Sequence, residues 1–227
     1  MSVGEGVLDS DTKMPAPSGA DAKQLCRAIH MACGHGGAPP RLVEKLLRVH
    51  PRGVFQRLRG CDYPTAAQAG MELLPLHRAL LAVASPDLVA LLLENDGGGW
   101  SVEGIKEWST ETVKEKCEGL LPLHIGASMP GTALATLERL VSKHPKALQE
   151  KEGQSGLLPL HLSIWNHMPA AIVEFFLVKT APTHRSRTKG SRSPLHVAAA
   201  TCAPPELLAL LLQEEQEVGV SAFYFSS

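Results

Sequence analysis

Short blocks along this chain place apolar residues in adjacent pairs, one helical turn apart. Arg41–Arg48 carries Leu42-Val43 and Leu46-Leu47, and Asp87–Leu93 carries Leu88-Val89 and Leu92-Leu93. Ala170–Leu177 carries Ile172-Val173 and Phe176-Leu177, and Glu206–Leu212 carries Leu207-Leu208 and Leu211-Leu212. Apolar positions at i, i+1, i+4 and i+5 lay a broad stripe along one side of an α-helix. Proline precedes each block: Pro39-Pro40, Pro86, Pro169 and Pro204-Pro205. Proline suits a helix start, where its missing N–H has no partner to lose. Each block therefore predicts an amphipathic helix with a defined beginning.

A second signal stands ahead of these blocks. Pro-Leu-His occurs four times, at Pro75-Leu76-His77, Pro122-Leu123-His124, Pro159-Leu160-His161 and Pro194-Leu195-His196. A fifth, worn copy reads Ala28-Ile29-His30. Helix-compatible sequence follows each copy, so the unit reads helix, tight turn, second helix. Two units also close alike. Val49-His50-Pro51 and Lys143-His144-Pro145 each put a proline 21 positions after the motif histidine. Proline ends the donor ladder and pushes its predecessor out of the helical region. Repetition at this period predicts one helical unit used several times.

These units resemble the ankyrin repeat, a β-turn followed by two antiparallel helices, whose first helix carries Thr-Pro-Leu-His-x-Ala. Pro75-Leu76-His77-Arg78-Ala79 and Pro194-Leu195-His196-Val197-Ala198 match that consensus from its proline onward. The resemblance spans Leu25 to Glu215. It implies an all-α, ankyrin-like helical solenoid of about five helix-turn-helix repeats with long inter-repeat loops. The expected layout is a disordered lead-in over 1–21, an array over 22–217 and an apolar tail over 218–227. Repeats are expected to start near 25, 72, 119, 156 and 191. The spacing between successive motif histidines is 47, 47, 37 and 35 residues, against about 33 in the family.

The consensus threonine is Leu74, Leu121 and Leu158 in three copies and Ser193 in the last. The resemblance implies a hydroxyl that helps to hold the histidine. Only Ser193 can supply one; the leucines are expected to act by packing. Two residues after the histidine stand Ala79, Gly126, Ser163 and Ala198, all small, as close packing between first helices requires. The last unit lacks the polar outer face that normally ends a solenoid. Either the tail around Phe223-Tyr224-Phe225 folds back over it, or the array continues.

Composition narrows the classes of function. Net charge is −1, so no field steers the whole molecule to nucleic acid or membrane. Aromatic residues make up 4%, which fits a core of Leu, Val, Ile and Ala. The five cysteines, Cys26, Cys33, Cys61, Cys117 and Cys202, are odd in number and irregular in spacing. They imply no disulfide framework, which favours a reducing compartment, cytoplasmic or nuclear. No signal peptide and no membrane span is read.

Catalytic chemistry has no sequence signature here. The chain contains no Gly-x-Ser-x-Gly, no phosphate-loop motif, no His-Glu-x-x-His and no Gly-x-Gly-x-x-Gly. The repeated histidines His30, His77, His124, His161 and His196 stand one per unit, about 10 Å apart, too far to converge on one reacting group. The resemblance implies a structural role for them, bonded to the backbone of the turns. Cys26, His30 and Cys33 fall on one face of a helix and are of zinc-ligand type. That face is also the one this unit must bury, so core packing is the expectation, with no metal and no cofactor.

What remains is surface. The resemblance implies partner binding through the concave side, made of first helices and turns. Four residues after the motif histidine the family displays a partner-facing side chain; here these are Leu81, Ser128, Trp165 and Ala200, with Asn166 beside Trp165. Trp100 and Trp108 lie in the long loop 96–119, and loops of that length are functional or disordered. The loop from Lys179 to Arg192 is basic, with Arg185, Arg187 and Lys189 uninterrupted by acid. The expectation is a monomeric, non-catalytic scaffold that binds one or more partner proteins. The alternative is nucleic-acid or phosphate-ligand binding through 179–192, which overall charge balance and the lack of interleaved aromatics disfavour.

Overall fold

The computed structural model describes residues 19–35, 37–55, 58–59, 72–94, 121–153, 155–180 and 192–213. These residues are helix-rich. Ten α-helices run in pairs: α1 (Gly19–Gly34) with α2 (Pro40–Val49), α3 (Pro75–Leu81) with α4 (Pro86–Glu94) and α5 (Pro122–Ser128) with α6 (Leu134–Lys143). They continue with α7 (Pro159–Trp165) and α8 (Ala170–Thr180), then α9 (Pro194–Ala200) and α10 (205–213). Strand among the described residues is one short antiparallel ladder. In it β1 (Leu58–Arg59) pairs with β2 (Glu72–Leu73), Leu58 opposite Leu73.

The Pro-Leu-His motif sets where first helices begin. In α3, α5, α7 and α9 the motif proline is the first residue of the helix. All five first helices, α1 included, end four residues after their histidine, at Gly34, Leu81, Ser128, Trp165 and Ala200. The worn copy is therefore in phase with the others. What sets its helix start apart is Ala28 in place of proline. Nothing there interrupts the N–H ladder, and α1 extends back to Gly19 for 16 residues. Gly19, Ala20 and Asp21 of the expected lead-in are thus helical, and residues 1–18 lie outside the described residues.

The turn after each first helix also repeats. Val83, His167 and Cys202, each six residues after a motif histidine, adopt left-handed φ of 51°, 52° and 52°. Their own N–H and the next one donate back to the helix: Val83 to Leu80 and Ala84 to Ala79, His167 to Ile164 and Met168 to Ser163. Cys202 to Ala199 and Ala203 to Ala198 complete the set. This Schellman-type closure satisfies carbonyls that a helix end leaves free. In the third unit the left-handed residue is Gly131, φ 99°, one position later. Second helices α2 and α6 end at His50 and His144 with near-identical dihedrals of −137°, 75° and −139°, 74°. A 3-10 turn then starts at Pro51 and at Pro145.

First helices pack on one another in chain order, α1 on α3, α3 on α5, α5 on α7 and α7 on α9. Second helices α2, α4 and α6 pack likewise behind them. The stripes read from the sequence line this interior: Val43, Leu47, Leu88, Leu92, Val173, Phe176, Leu207 and Leu211 are all buried. Small residues on the first helices line this interior, and at Gly126 the close neighbour is the paired second helix α6. Ala79, Ser163 and Ala198 are 0% exposed, and a Cβ on Gly126 would lie 3.0 Å from Leu137 Cδ2.

The two ends differ. The outer side of α1 exposes Lys23, Gln24 and Arg27. In the last pair Leu212 is 47% exposed and Leu195 is half-buried, while the corresponding Leu76, Leu123 and Leu160 are buried. The tail 218–227 lies outside the described residues.

Candidate functional site

The motif histidines are the polar groups that recur from unit to unit. His30, His77, His124 and His161 have no exposed surface. In three copies the ring closes on its own helix start. The N–H groups of Leu74, Leu121 and Leu158 donate to Nδ1 of His77, His124 and His161, at 3.3, 3.0 and 3.3 Å. A third-position side chain reaching back to the N-cap N–H is half of a capping box, with histidine in the place of glutamate. Accepting at Nδ1 leaves the proton of the neutral ring on Nε2. In His124 that Nε2–H donates to the Glu150 carbonyl at 2.8 Å, tying one unit to the turn that leads into the next. Leu74, Leu121 and Leu158 are themselves buried.

The last copy works differently. Ser193 Oγ lies 2.7 Å from His196 Nδ1 and accepts the His196 N–H at 3.4 Å. Here a hydroxyl meets the ring where the other copies use a backbone N–H. His196 is exposed, since no further first helix among the described residues covers it.

Electrostatics keep this interior neutral. Burial, aided by the charge of Lys151, pushes the His161 imidazole down to about 4. Burial pushes the thiol of Cys26 up to about 11 and that of Cys33 up to about 12, the latter opposed by Arg78. Thiols held in that form are poor nucleophiles and poor metal ligands. Among the described residues no group of three or more His, Cys, Asp or Glu side chains is placed to hold a metal ion. Cys26, His30 and Cys33 are all buried.

The positions expected to face a partner divide. Trp165 ends α7 with 46% of its surface exposed. Ala200 is exposed, and Asn166 and Ser128 are half-buried. Leu81 is half-buried and packs against the core. All five follow the motif histidine by four or five residues, at the C-terminal ends of first helices that pack in series. Trp100, Trp108, Arg185, Arg187 and Lys189 lie outside the described residues. Lys179 and Arg192, which bracket the basic stretch, are both exposed.

One residue with a clear structural task escaped the sequence reading. Glu152 is 6% exposed in the turn before α7. Its Oε1 accepts the N–H of Ser155 and, at 3.3 Å, that of Leu157, while its own N–H donates to the Leu157 carbonyl at 2.9 Å. One carboxyl oxygen thus gathers two backbone donors and shapes a loop between two units. Its only sequence signal is an acid three residues before Ser155-Gly156, where Gly156 takes φ 67°.

No known protein-family model matches this chain, and no curated protein matches it significantly. No helix among the described residues is long and apolar enough to cross a membrane.

Proposed function

We propose that this chain is an ankyrin-like solenoid of five helical pairs that binds a partner protein and performs no chemistry of its own. The half-exposed Trp165 carries the reading. It sits at the end of a rigid first helix, at the position each preceding and following unit offers on the same side. Aromatic side chains dominate contact energy at protein interfaces. The repeated histidines support the non-catalytic part, because the bonds they make hold helix starts and turns. Buried, neutral thiols suit a reducing cytoplasmic or nuclear setting.

The test is affinity capture from the native cell with parent and variants. Joint replacement Trp165→Ala and Asn166→Ala is expected to release the partner while helicity and melting stay unchanged. Partners that survive this change and leave on joint replacement of Arg185, Arg187 and Lys189 by alanine point instead to the basic stretch. Phosphate contacts weaken steeply with salt, so that outcome comes with release at high ionic strength.

A further inference from the structure

The last pair, α9 with α10, has no successor among the described residues, and its burial pattern marks what a successor would cover. In the preceding unit Leu160, His161, Ile164, Val173 and Leu177 are all buried, and the His77 unit shows the same burial at the same offsets. Counted from the motif histidine, the counterparts in the last unit are Leu195, His196, Ala199, Leu208 and Leu212. There Leu195 and Leu208 are half-buried, and His196, Ala199 and Leu212 are exposed. Other core positions do not change: Ala198, Leu207 and Leu211 stay buried, like Ser163, Ile172 and Phe176. The difference therefore outlines one surface, the side on which each inner pair receives the next.

An occupant of this end must be apolar, must reach both helices and must accept a hydrogen bond. Ser193 Oγ serves Nδ1 of His196. The proton of the neutral ring is then on Nε2, the atom through which His124 reaches the Glu150 carbonyl. Residues 218–227, outside the described residues, hold Val218, Val220, Ala222, Phe223, Tyr224 and Phe225 and no charged side chain. Two of the chain's five phenylalanines are among them, and aromatic side chains bury the most surface. The tether also suits. The turn 201–204 is short enough to send α10 back alongside α9, so Gln213 returns to the level of the start of α9. Four residues separate Gln213 from Val218. Extended, they reach roughly 13 Å, more than the about 8–10 Å between packed helix axes. These four, Glu214-Glu215-Gln216-Glu217, are acidic and leave α10 at the end where exposed Arg192 leads into α9.

Other occupants fit less well. The stretch 181–191 enters α9 at the same end, yet alanine and proline are its only apolar residues. A second copy stacked head to tail would set the exposed Lys23 and Arg27 of α1 on these leucines. A charge placed on apolar surface loses hydration and gains no partner.

We propose that residues 218–227 cap the array from within the chain. Their apolar side chains pack on Leu195, Ala199, Leu208 and Leu212, and a backbone carbonyl among them accepts the Nε2–H of His196. A short tether holds the cap at a local concentration of about millimolar, so the end is closed without the polar-faced unit that ends other solenoids. The proposal stands apart from partner binding. It concerns the end of the array and not Trp165, and either reading can fail alone.

Hydrogen exchange on the full-length chain tests it, with variants on both sides of the contact. Joint replacement Phe223→Ser and Phe225→Ser is expected to speed exchange in α9 and α10 about tenfold or more, with α1 and α3 changed less than about twofold. Leu212→Ser is expected to do the same. The three changes together should add no more than about twofold to either variant, because groups that touch are lost only once. Circular dichroism separates these local effects from loss of fold, and light scattering is expected to give a monomer at every concentration. Unchanged exchange in the tail variant, or effects of tail and Leu212 that multiply to about a hundredfold, would overturn the proposal. So would a dimer that Leu212→Glu dissociates, which would give this end to a second copy.

Discussion

His77, His124 and His161 are each fixed in one tautomer by the backbone N–H that enters Nδ1, and this makes proton uptake a structural event. A second ring proton would sit on Nδ1, facing the Leu158 N–H in the case of His161. The folded protein resists it: the imidazole is held near 4, against 6.5 for the free side chain. The folded value is the lower one, so the unfolded chain takes up the proton first. Stability is therefore unaffected above about pH 6.5 and declines as pH falls from there towards 4, by roughly 3 kcal/mol if no other group compensates. Urea melts across that window are expected to show the decline, and His161→Asn, which keeps an acceptor but cannot titrate, is expected to flatten it. A parent curve as flat as the variant's would rule the coupling out. Ser193 shows how much of this was legible at residue level. Its hydroxyl stood out in the sequence, whereas the N–H of Leu74, Leu121 and Leu158, which does the same work, belongs to every residue and leaves no trace in side-chain identity.

Helix starts were readable and turns were not, for one physical reason. Proline at the first position restricts φ and removes a donor wherever it stands, so the beginnings of α3, α5, α7 and α9 follow from composition alone. The closure six residues after the histidine needs a left-handed residue, which glycine would announce. Here Val, His and Cys occupy it, and the pattern appears only in the dihedrals. A β-branched residue is strained there, by about 1–2 kcal/mol for a left-handed L-residue. Val83 is 36% exposed, so little packing offsets the strain. Val83→Gly is accordingly expected to raise stability by about 0.5–1 kcal/mol, after the larger entropy loss of glycine on folding. Thermal melts decide it: a lower melting temperature than the parent would mean that valine packing outweighs backbone strain. The same logic explains α1. With no proline before Ile29-His30 the helix runs on to Gly19, and an alanine in the proline's place gave no signal of where it would stop.

At the scale of the molecule, stability comes from neighbours covering one another. Leu123 is 2% exposed on α5, between α3 and α7. Leu123→Ala removes a buried side chain and is expected to cost about 2–5 kcal/mol, spread to both adjoining pairs because a stacked array shares its interfaces. Hydrogen exchange should show faster opening of α3 and α7 together with α5; a change confined to α5, or a melting temperature unaltered within a degree or so, would contradict shared stacking. The side proposed to face a partner is legible at coarser grain. The register of Leu81, Ser128, Trp165 and Ala200 follows from the motif, whereas burial does not, since Leu81 leans on the core and Trp165 stands half clear. What the sequence could not foretell is that Ser128 Oγ and Asn166 Nδ2 donate to carbonyls of their own helices.

The serial order of the first helices is the claim on which the proposed binding face depends, and electron-spin distances test it most directly. Spin labels are placed at the exposed Met31 with, in turn, Ser128 and Ala199, after Cys61, Cys117 and Cys202 are replaced by serine. At about 10 Å per packed helix, α1 to α5 spans roughly 20 Å and α1 to α9 roughly 40 Å. A second distance about twice the first is the predicted result. Two similar distances, as in a chain folded back on itself, would contradict the account.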